Sequence, residues 1–347
     1  MATNFKNKSI NMRNVLFIIS LGAIVTSCST QQKIVAPQPQ LQPKTKTAST
    51  PPQNKPKVEP STRGDFYYKT NISDITKNDN TISYGSVVTA KPKGYKVNYE
   101  NFPSVAQNFR QRFLILHYTA LDNETSVRVL TQRGVSAHYL VNDLPDDNIW
   151  QLVDENKRAY HAGFSFWRNT TEMNDNSIGI EIVNKGYTTG TAGEKVFYPF
   201  PEHQFKKVAA LVKDIVERYN IPPTQILAHS DIAPTRKQDP GPFFPWKRLY
   251  DEYNVGMWYD NSTKQNFYET ALSDLEFNYN NYAFISKVQN TLRSFGYDIT
   301  PTGTWDKSSQ KVIEAFQYHF RPEKCDGVLD AETWAILQAL IVKYPGK

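Results

Sequence analysis

The spacing of apolar residues along the chain changes several times between residues 113 and 229, and these changes predict an α/β domain. The fully apolar run 113–116 is typical of a buried central strand. Residues 124–133 then favour a helix, and shorter strand-like runs follow at 136–141 and 149–153. Short strands that alternate with helix-like stretches indicate a sheet covered by helices.

The strand predicted at residues 178–183 places one carboxylate among apolar side chains. Its isoleucines share one face, and Gly179, Glu181 and Val183 share the other. A lone carboxylate in such a strand is costly unless it is paired or faces a cleft, and Gly179 leaves open space beside Glu181. The alternative is a solvent-exposed glutamate on an edge strand.

The clearest helix follows Pro201, which is expected at its first helical position. Apolar residues recur at spacings of three and four through residues 205–219, and two prolines shortly afterwards end the pattern. The helix leads into the apolar run 226–228, directly before His229.

His117 and His229 each end an apolar, strand-like run, so their side chains can meet at one edge of a sheet. Asp239 lies ten residues after His229, in a segment rich in proline and glycine that can fold back toward it. Two imidazoles and one carboxylate leave a fourth position for water in a catalytic zinc site. On the residues alone, structural histidines and a turn aspartate before proline stay open as alternatives.

Five segments closely resemble the zinc N-acetylmuramoyl-L-alanine amidases of the Amidase_2 family. The segments are His117–Ala120, Ser136–Val141, Tyr160–Gly163, Asn176–Glu181 and His229–Trp246. The last one, HSDIAPTRKQDPGPFFPW, is the most specific, and the resemblance extends over residues 64 to 343. It implies a mixed central sheet flanked by helices, the fold shared with peptidoglycan recognition proteins.

The resemblance also implies an activity and its residues. His117, His229 and Asp239 match the family's zinc ligands, Glu181 matches its catalytic acid/base, and Lys237 matches a lysine that stabilises charge. The implied reaction cleaves the amide between the lactyl group of N-acetylmuramic acid and L-alanine, in peptidoglycan or in muropeptides, with 1,6-anhydro-muropeptides as further expected substrates. Competing hypotheses are a non-catalytic peptidoglycan-recognition lipoprotein on the same fold and a zinc hydrolase of a different acyl-peptide.

Four other residues are weaker candidates for substrate binding. His138 lies in a predicted strand near the site, and His161 precedes Ala162 and Gly163, where a substrate could approach closely. Both are expected to line the cleft, with packing as the alternative. Arg168 and Asn176 are candidates for binding the carboxylates or amides of a muropeptide.

The C-terminal part contains a short repeat of a glycine turn, an aspartate helix cap and a hydroxyl three residues later. Its two copies are Gly303, Asp306 and Ser309, then Gly327, Asp330 and Thr333. Helices are predicted at 283–295, 307–318 and 331–343. The pattern resembles the three-helix peptidoglycan-binding module PG_binding_1, and a structural helical appendage is the alternative. We predict a zinc amidase domain at 64–260 and a linker with this module at 261–347.

A basic and then apolar N-terminus predicts a secretory signal. The apolar run 15–25 is short for a bilayer span, and small residues lead from it to Cys28. This resembles a bacterial lipobox, in which the cysteine is lipidated; an ordinary signal peptide is the alternative. Residues 1–28 are predicted as a lipoprotein signal peptide and 29–63 as a disordered tether. Ser29 favours anchoring in the outer membrane, facing the periplasm.

The net charge of +6 arises in the N-terminal part. Residues 1–60 contain eight Lys and Arg but only Glu59 as an acid, so the rest of the chain carries about −1, which argues against nucleic acid as a partner. The two cysteines, Cys28 and Cys325, form no Cys-x-x-Cys zinc motif, and lipidation of Cys28 leaves Cys325 a lone thiol. We expect a monomer that binds peptidoglycan and contacts the membrane only through its lipid anchor.

Overall fold

The computed structural model describes residues 90–98, 106 and 108–346. The predicted signal peptide, the predicted tether and Cys28 lie outside the described residues. Within the described part, we find no helix that combines the length and the apolar character needed to cross a membrane.

Up to residue 253 the chain contains both strands and helices, with a run of seven short strands between the first two helices, and beyond it the described residues form helices only. The strands are β1 (Phe113–Tyr118), β2 (Tyr139–Val141), β3 (Trp150–Gln151), β4 (Phe166–Trp167), β5 (Thr170–Thr171), β6 (Ser177–Ile182), β7 (Tyr187–Thr189), β8 (Lys195–Phe197) and β9 (Ile226–Ala228). The helices are α1 (Asn123–Gln132), α2 (Glu202–Tyr219), α3 (His229–Ile232), α4 (Trp246–Tyr253), α5 (Asn261–Asn278), α6 (Tyr282–Phe295), α7 (Lys307–Phe320) and α8 (Ala331–Lys343).

Five strands form a mixed sheet in the order β3-β2-β6-β1-β9. β2, β6, β1 and β9 run parallel, and β3 pairs antiparallel with β2 at the edge. The predicted α/β fold with a mixed central sheet flanked by helices is therefore confirmed. β2 and β3 are shorter than the strand-like runs at 136–141 and 149–153, since pairing involves only part of each run.

Helix α2 forms where the apolar spacing predicts it. Pro201 is the residue before the helix rather than its first residue, and Asn220 ends the helix in a left-handed conformation with φ 53°. Phe205, Val208 and Val212 are buried in the same apolar core as β1 and β6. This packing positions the segment that leads into β9, which ends directly before His229.

The register of the parallel strands decides which side chains meet at the edge of the sheet. His117 of β1 pairs with Glu181 of β6, and Leu116 pairs with Ala228 of β9. The carboxyl ends of three adjacent strands therefore lie side by side, which is where open α/β sheets bind ligands.

The three helices predicted in the C-terminal module are confirmed. Side-chain oxygens of Asn281, Asp306 and Asp330 accept backbone N–H groups in the first turns of α6, α7 and α8. The stretch 261–278, predicted as linker, is instead helix α5, which packs along α8. Within α5 only Ala271 is buried, so its sequence shows little of the apolar periodicity that would have predicted it.

The helical module shares one hydrophobic core with the sheet domain. The Trp167 ring of β4 lies edge-on to Phe295 and Tyr297 of the module, at centroid distances of 5.8 and 5.1 Å. The Trp167 indole N–H also donates to the backbone carbonyl of Thr224, at 2.9 Å. The two ring contacts join the module to β4, and the indole hydrogen bond joins β4 to the segment before β9.

Candidate active site

His117, His229 and Asp239 meet at the carboxyl edge of the sheet, and all three are buried. Nδ1 of His117 lies 2.8 Å from Nδ1 of His229, and both nitrogens lie within 3.0 Å of Oδ2 of Asp239. Each residue offers one ligand atom to the same small space. The backbone N–H of Ser230 donates to the carbonyl of Asp239, at 3.0 Å, and so brings the proline-rich segment back to His229.

The hydrogen bonds of the two imidazoles favour a metal ion between them. Nε2 of His229 lies 3.1 Å from the carbonyl oxygen of Ala162, which can only accept, so Nε2 carries the proton. Nε2 of His117 lies 3.0 Å from Nδ1 of His161. Nε2 of His117 is also protonated, because Nδ1 of His161 accepts a hydrogen bond from it. The two Nδ1 lone pairs and the Asp239 carboxylate therefore face one another with no proton between them. A cation relieves this repulsion, and two imidazoles with one carboxylate suit zinc.

The protonation states of the ligands agree with this arrangement. Burial, followed by the neighbouring His229, lowers the pKa of His117 to about 4, so its imidazole is neutral near pH 7. Burial alone would raise the pKa of Asp239, but His229 and His117 hold that pKa well below its usual range. His117 therefore presents a neutral nitrogen and Asp239 a carboxylate.

His161 forms a hydrogen bond with Nε2 of His117. The Ser177 hydroxyl donates to the carbonyl of Met173, and its oxygen lies 3.1 Å from Nε2 of His161. Nε2 of His161 is thus the donor to Ser177, and Nδ1 accepts from His117. A Cβ on Gly179 would lie 2.5 Å from the His161 ring, so the space that glycine leaves beside Glu181 is filled by an imidazole.

Glu181 lies next to the ligands with one oxygen lacking a partner. Its Oε2 is buried, and no described residue forms a hydrogen bond with it. Burial, followed by the Asp239 charge, raises the pKa of Glu181 to about 8, while Lys237 acts in the opposite direction. A cation bound at the ligands would favour the carboxylate form. This carboxyl group can therefore accept and release a proton near neutral pH.

A cleft of about 260 Å³ opens onto the ligands. Glu181, Lys237 and His161 line it beside the candidate ligands His229 and Asp239, and Tyr118 and Tyr160 are among its walls. The Lys237 backbone N–H donates to Ala233, at 2.9 Å, which sets the direction of the segment before Asp239. A carboxyl group with an unpartnered oxygen, the Lys237 side chain and residues that could hold a metal ion thus line one cleft, a combination that suits amide hydrolysis.

The N-acetylmuramoyl-L-alanine amidase AmiD of Escherichia coli (strain K12) is 43% identical to this chain over 240 residues, which cover 68% of this chain and 84% of AmiD. The chain belongs to the N-acetylmuramoyl-L-alanine amidase family. The sequence pattern of that family, Amidase_2, matches residues 107–242, and that of a putative peptidoglycan binding domain matches residues 281–337. Both resemblances seen in the sequence are confirmed.

Two solved structures of relatives resemble this amidase over most of its length. AmiD from E. coli in complex with the substrate anhydro-N-acetylmuramic acid-L-Ala-D-gamma-Glu-L-Lys has a TM-score of 0.65 and 39% identity, covering 74% of this chain and 98% of that one. AmpDh3 from Pseudomonas aeruginosa in complex with anhydromuramic pentapeptide has a TM-score of 0.63 and 38% identity, covering 75% of this chain and all of that one.

The structure contradicts three of the substrate-binding predictions for this amidase. Nδ1 of His138 accepts from the Gly179 N–H and Nε2 lies 3.0 Å from the Lys157 carbonyl, so the buried ring links β6 to the turn at Lys157 and is not among the residues that line the cleft. Arg168 donates to the carbonyls of Phe295 and Tyr344, at 2.8 and 3.1 Å, and so holds the helical module.

Asn176 lies at the wrong end of the sheet for a substrate contact. Its carbonyl accepts from the N–H groups of Arg112 and Phe113, at the beginning of β1. Glu181 and His117 lie at the opposite ends of the parallel strands β6 and β1. Of the four weaker candidates, the structure brings only His161 to the cleft, where it also contacts the candidate ligand His117.

The amidase site also depends on residues that the sequence did not single out. Asn174 Oδ1 accepts the N–H groups of His161 and Ala162, at 3.0 and 2.8 Å. The Arg236 guanidinium donates to the carbonyls of Ala162 and Phe164, both at 2.8 Å. They hold the loop whose Ala162 carbonyl orients His229. The two residues lie 12 and 74 positions from Ala162, so no local pattern marks them.

Proposed function

We infer that this chain hydrolyses the amide bond between the lactyl carbonyl of N-acetylmuramic acid and the amine of L-alanine, with zinc held by His117, His229 and Asp239. The arrangement of three unprotonated ligand atoms beside the unpartnered Glu181 carboxyl group carries the inference. Membership of the amidase family supports the choice of bond. We also propose that the chain acts as a monomer.

The residues of the cleft divide the chemistry among them. When bound, zinc supplies Lewis acidity and an open coordination position for water. Glu181 takes the proton of the attacking water on its free Oε2 and delivers it to the nitrogen of the departing L-alanine. The Lys237 ammonium group stabilises the negative charge that develops on the carbonyl oxygen. His161 and the Ala162 carbonyl keep the two imidazoles in the tautomer that binds metal.

The proposed substrates are peptidoglycan and the muropeptides released from it. AmiD and AmpDh3 were each solved with an anhydromuramic peptide, which supports 1,6-anhydro-muropeptides as additional substrates of this chain. The match to a putative peptidoglycan binding domain supports a contact between the helical module and the wall. We also propose that the amidase domain comprises residues 64–260 and the helical domain residues 261–347.

Mass analysis of digested muropeptides tests reaction, bond and metal together. We expect a free peptide that begins with L-alanine and a peptide-free sugar as products. A strong chelator should abolish both products, and added zinc should restore them. Binding of muropeptides without any change of mass would favour the non-catalytic alternative. Cleavage at another bond would indicate a hydrolase of a different acyl-peptide, and full activity in the chelator would contradict the role of zinc.

We propose that Cys28 is lipidated and anchors the chain to the outer membrane, facing the periplasm, with residues 29–63 as a tether. The basic and apolar N-terminus and the small residues before Cys28 support this proposal. Cys28→Ser is therefore expected to release the protein from the membrane fraction while its muropeptide hydrolysis stays unchanged. Cys325→Ser serves as the control that stays with the membrane. Equal membrane association of both variants would contradict the anchor.

A further inference from the structure

Asp231 is a fully buried carboxylate two residues after the zinc ligand His229, within the short helix α3. Its Oδ2 accepts the N–H of Ala228, at 2.9 Å, and lies 2.7 Å from Nδ1 of His319. Its Oδ1 accepts the hydroxyl of Tyr297, at 2.7 Å. Two of the three donors thus belong to the C-terminal helical module, far away in the sequence.

The surroundings of His319 and Tyr297 hold both donors in place. The His319 ring is stacked between Trp246 and Phe320, at centroid distances of 3.9 and 4.0 Å. Its Nδ1 carries a proton, because the Asp231 carboxylate oxygen that it faces can only accept. Burial and the Asp231 charge raise the pKa of the Tyr297 hydroxyl well above its usual value, which keeps the hydroxyl protonated as a donor.

The Asp231 carboxylate connects the two donors of the module to the backbone next to the proposed metal ligands. By accepting the Ala228 N–H, it holds the backbone at the point where β9 ends and His229 begins α3. The next residue, Ser230, donates its N–H to the carbonyl of the ligand Asp239. Helix α3 therefore carries one ligand and positions the backbone of another, and the orientation of Asp231 determines where the helix begins.

A module that only bound the cell wall would need no such contact. Burying a carboxylate is costly unless its hydrogen bonds are satisfied, and a satisfied buried network holds its members in one geometry. Here the complete set of donors exists only when the module is docked. Outer-shell hydrogen bonds of this kind orient metal ligands in proteins.

We propose that the helical module is a working part of the zinc site. His319 and Tyr297 are positioning residues that act through Asp231 on the turn carrying His229. The proposal rests on the proposed zinc chemistry and adds to it a role for the module other than wall binding.

Zinc affinity, measured on the full chain by competition with a chromogenic chelator, tests the proposal. Tyr297→Phe removes one donor, and His319→Phe removes the other while retaining a ring between its stacking partners. Each is expected to weaken zinc binding by about tenfold to a hundredfold. His319→Asn, whose amide nitrogen can take the place of Nδ1, should restore most of the affinity. Lys343→Met, which removes a different contact between module and sheet domain (2.8 Å to the Tyr250 hydroxyl), should leave it unchanged.

The measurement is made below the melting temperature of each variant, as monitored by circular dichroism. Wild-type affinity in folded Tyr297→Phe and His319→Phe would overturn the proposal. An equal loss in Lys343→Met would also overturn it, because the module would then act only through general stability. If His319→Phe does not fold, Tyr297→Phe, which loses a single oxygen, decides the outcome alone. A wild-type chain that binds no zinc would refute the proposed metal chemistry instead.

Discussion

Glu181→Gln is expected to lower kcat for muropeptide hydrolysis by about 10²- to 10⁴-fold while zinc stays bound. Glutamine has the shape of glutamate but cannot take a proton from water or deliver one to the leaving amine. The zinc ligands are other residues, so the metal content should not change. Product formation followed by mass spectrometry, with zinc content measured on the same sample, checks both parts of the expectation.

The matched control is Glu217→Gln, an exposed glutamate of α2 paired with Lys213. It should retain wild-type kcat. Lys237→Met should lower kcat and move the pH dependence set by Glu181 to higher pH, because the lysine stabilises charge and also lowers the pKa of Glu181. Full activity in Glu181→Gln would assign the acid/base to another group.

Asp239→Ala is expected to remove most of the bound zinc and, with it, the activity. Asp239 supplies the only negative charge among the three ligands, and its Oδ2 contacts both imidazole Nδ1 atoms. Its loss leaves two neutral nitrogens, so we expect the affinity to fall by more than the ~10- to 100-fold cost of an outer-shell change. Zinc per chain after dialysis is the measurement.

Asp251→Ala removes an exposed aspartate of α4 that pairs with Lys247, and it is the control for a general effect of lost negative charge. It should bind zinc as the wild type does. Near-stoichiometric zinc in Asp239→Ala would exclude this carboxylate as a ligand. Activity without zinc in that variant would, in addition, contradict a metal-dependent mechanism.

The Glu181 and Asp239 variants distinguish a loss of catalysis from a loss of metal binding. The module variants distinguish both losses from an effect of domain docking. Glu181→Gln should retain zinc but not activity, whereas Asp239→Ala should lose both. Tyr297→Phe should lie between them, with weakened zinc binding and activity that returns as zinc is added. A peptidoglycan-recognition protein without catalysis would show none of these differences in products.

Local patterns predicted those parts of the fold that depend on neighbouring residues. The apolar run ending at His117 is a buried central strand, and the spacing of three and four after Pro201 is a core-packing helix. The aspartates at 306 and 330 cap helices, as their position before a helical pattern predicts. In each case the deciding interaction lies within a few residues, so the sequence shows it directly.

Predictions were wrong where a side chain finds its partner far along the chain. Arg168 donates to carbonyls 127 and 176 residues away, and His138 accepts a hydrogen bond from the backbone N–H of Gly179, 41 residues away. Helix α5 was missed because it lies on the module with only one buried residue of its own. Polarity and position in a family segment do not distinguish a substrate contact from an internal hydrogen bond.

The amino-acid sequence by itself determined the five strands of the central sheet, the set of candidate ligands and the carboxylate beside them, because apolar period and residue chemistry are local properties. Only the tertiary structure decided how these residues are oriented. Strand register places Glu181 beside His117, the His161 ring fills the space at Gly179, and His319 and Tyr297 satisfy Asp231 from another domain. These contacts join residues between 18 and 88 positions apart, and they exist only once the apolar core has brought those residues together.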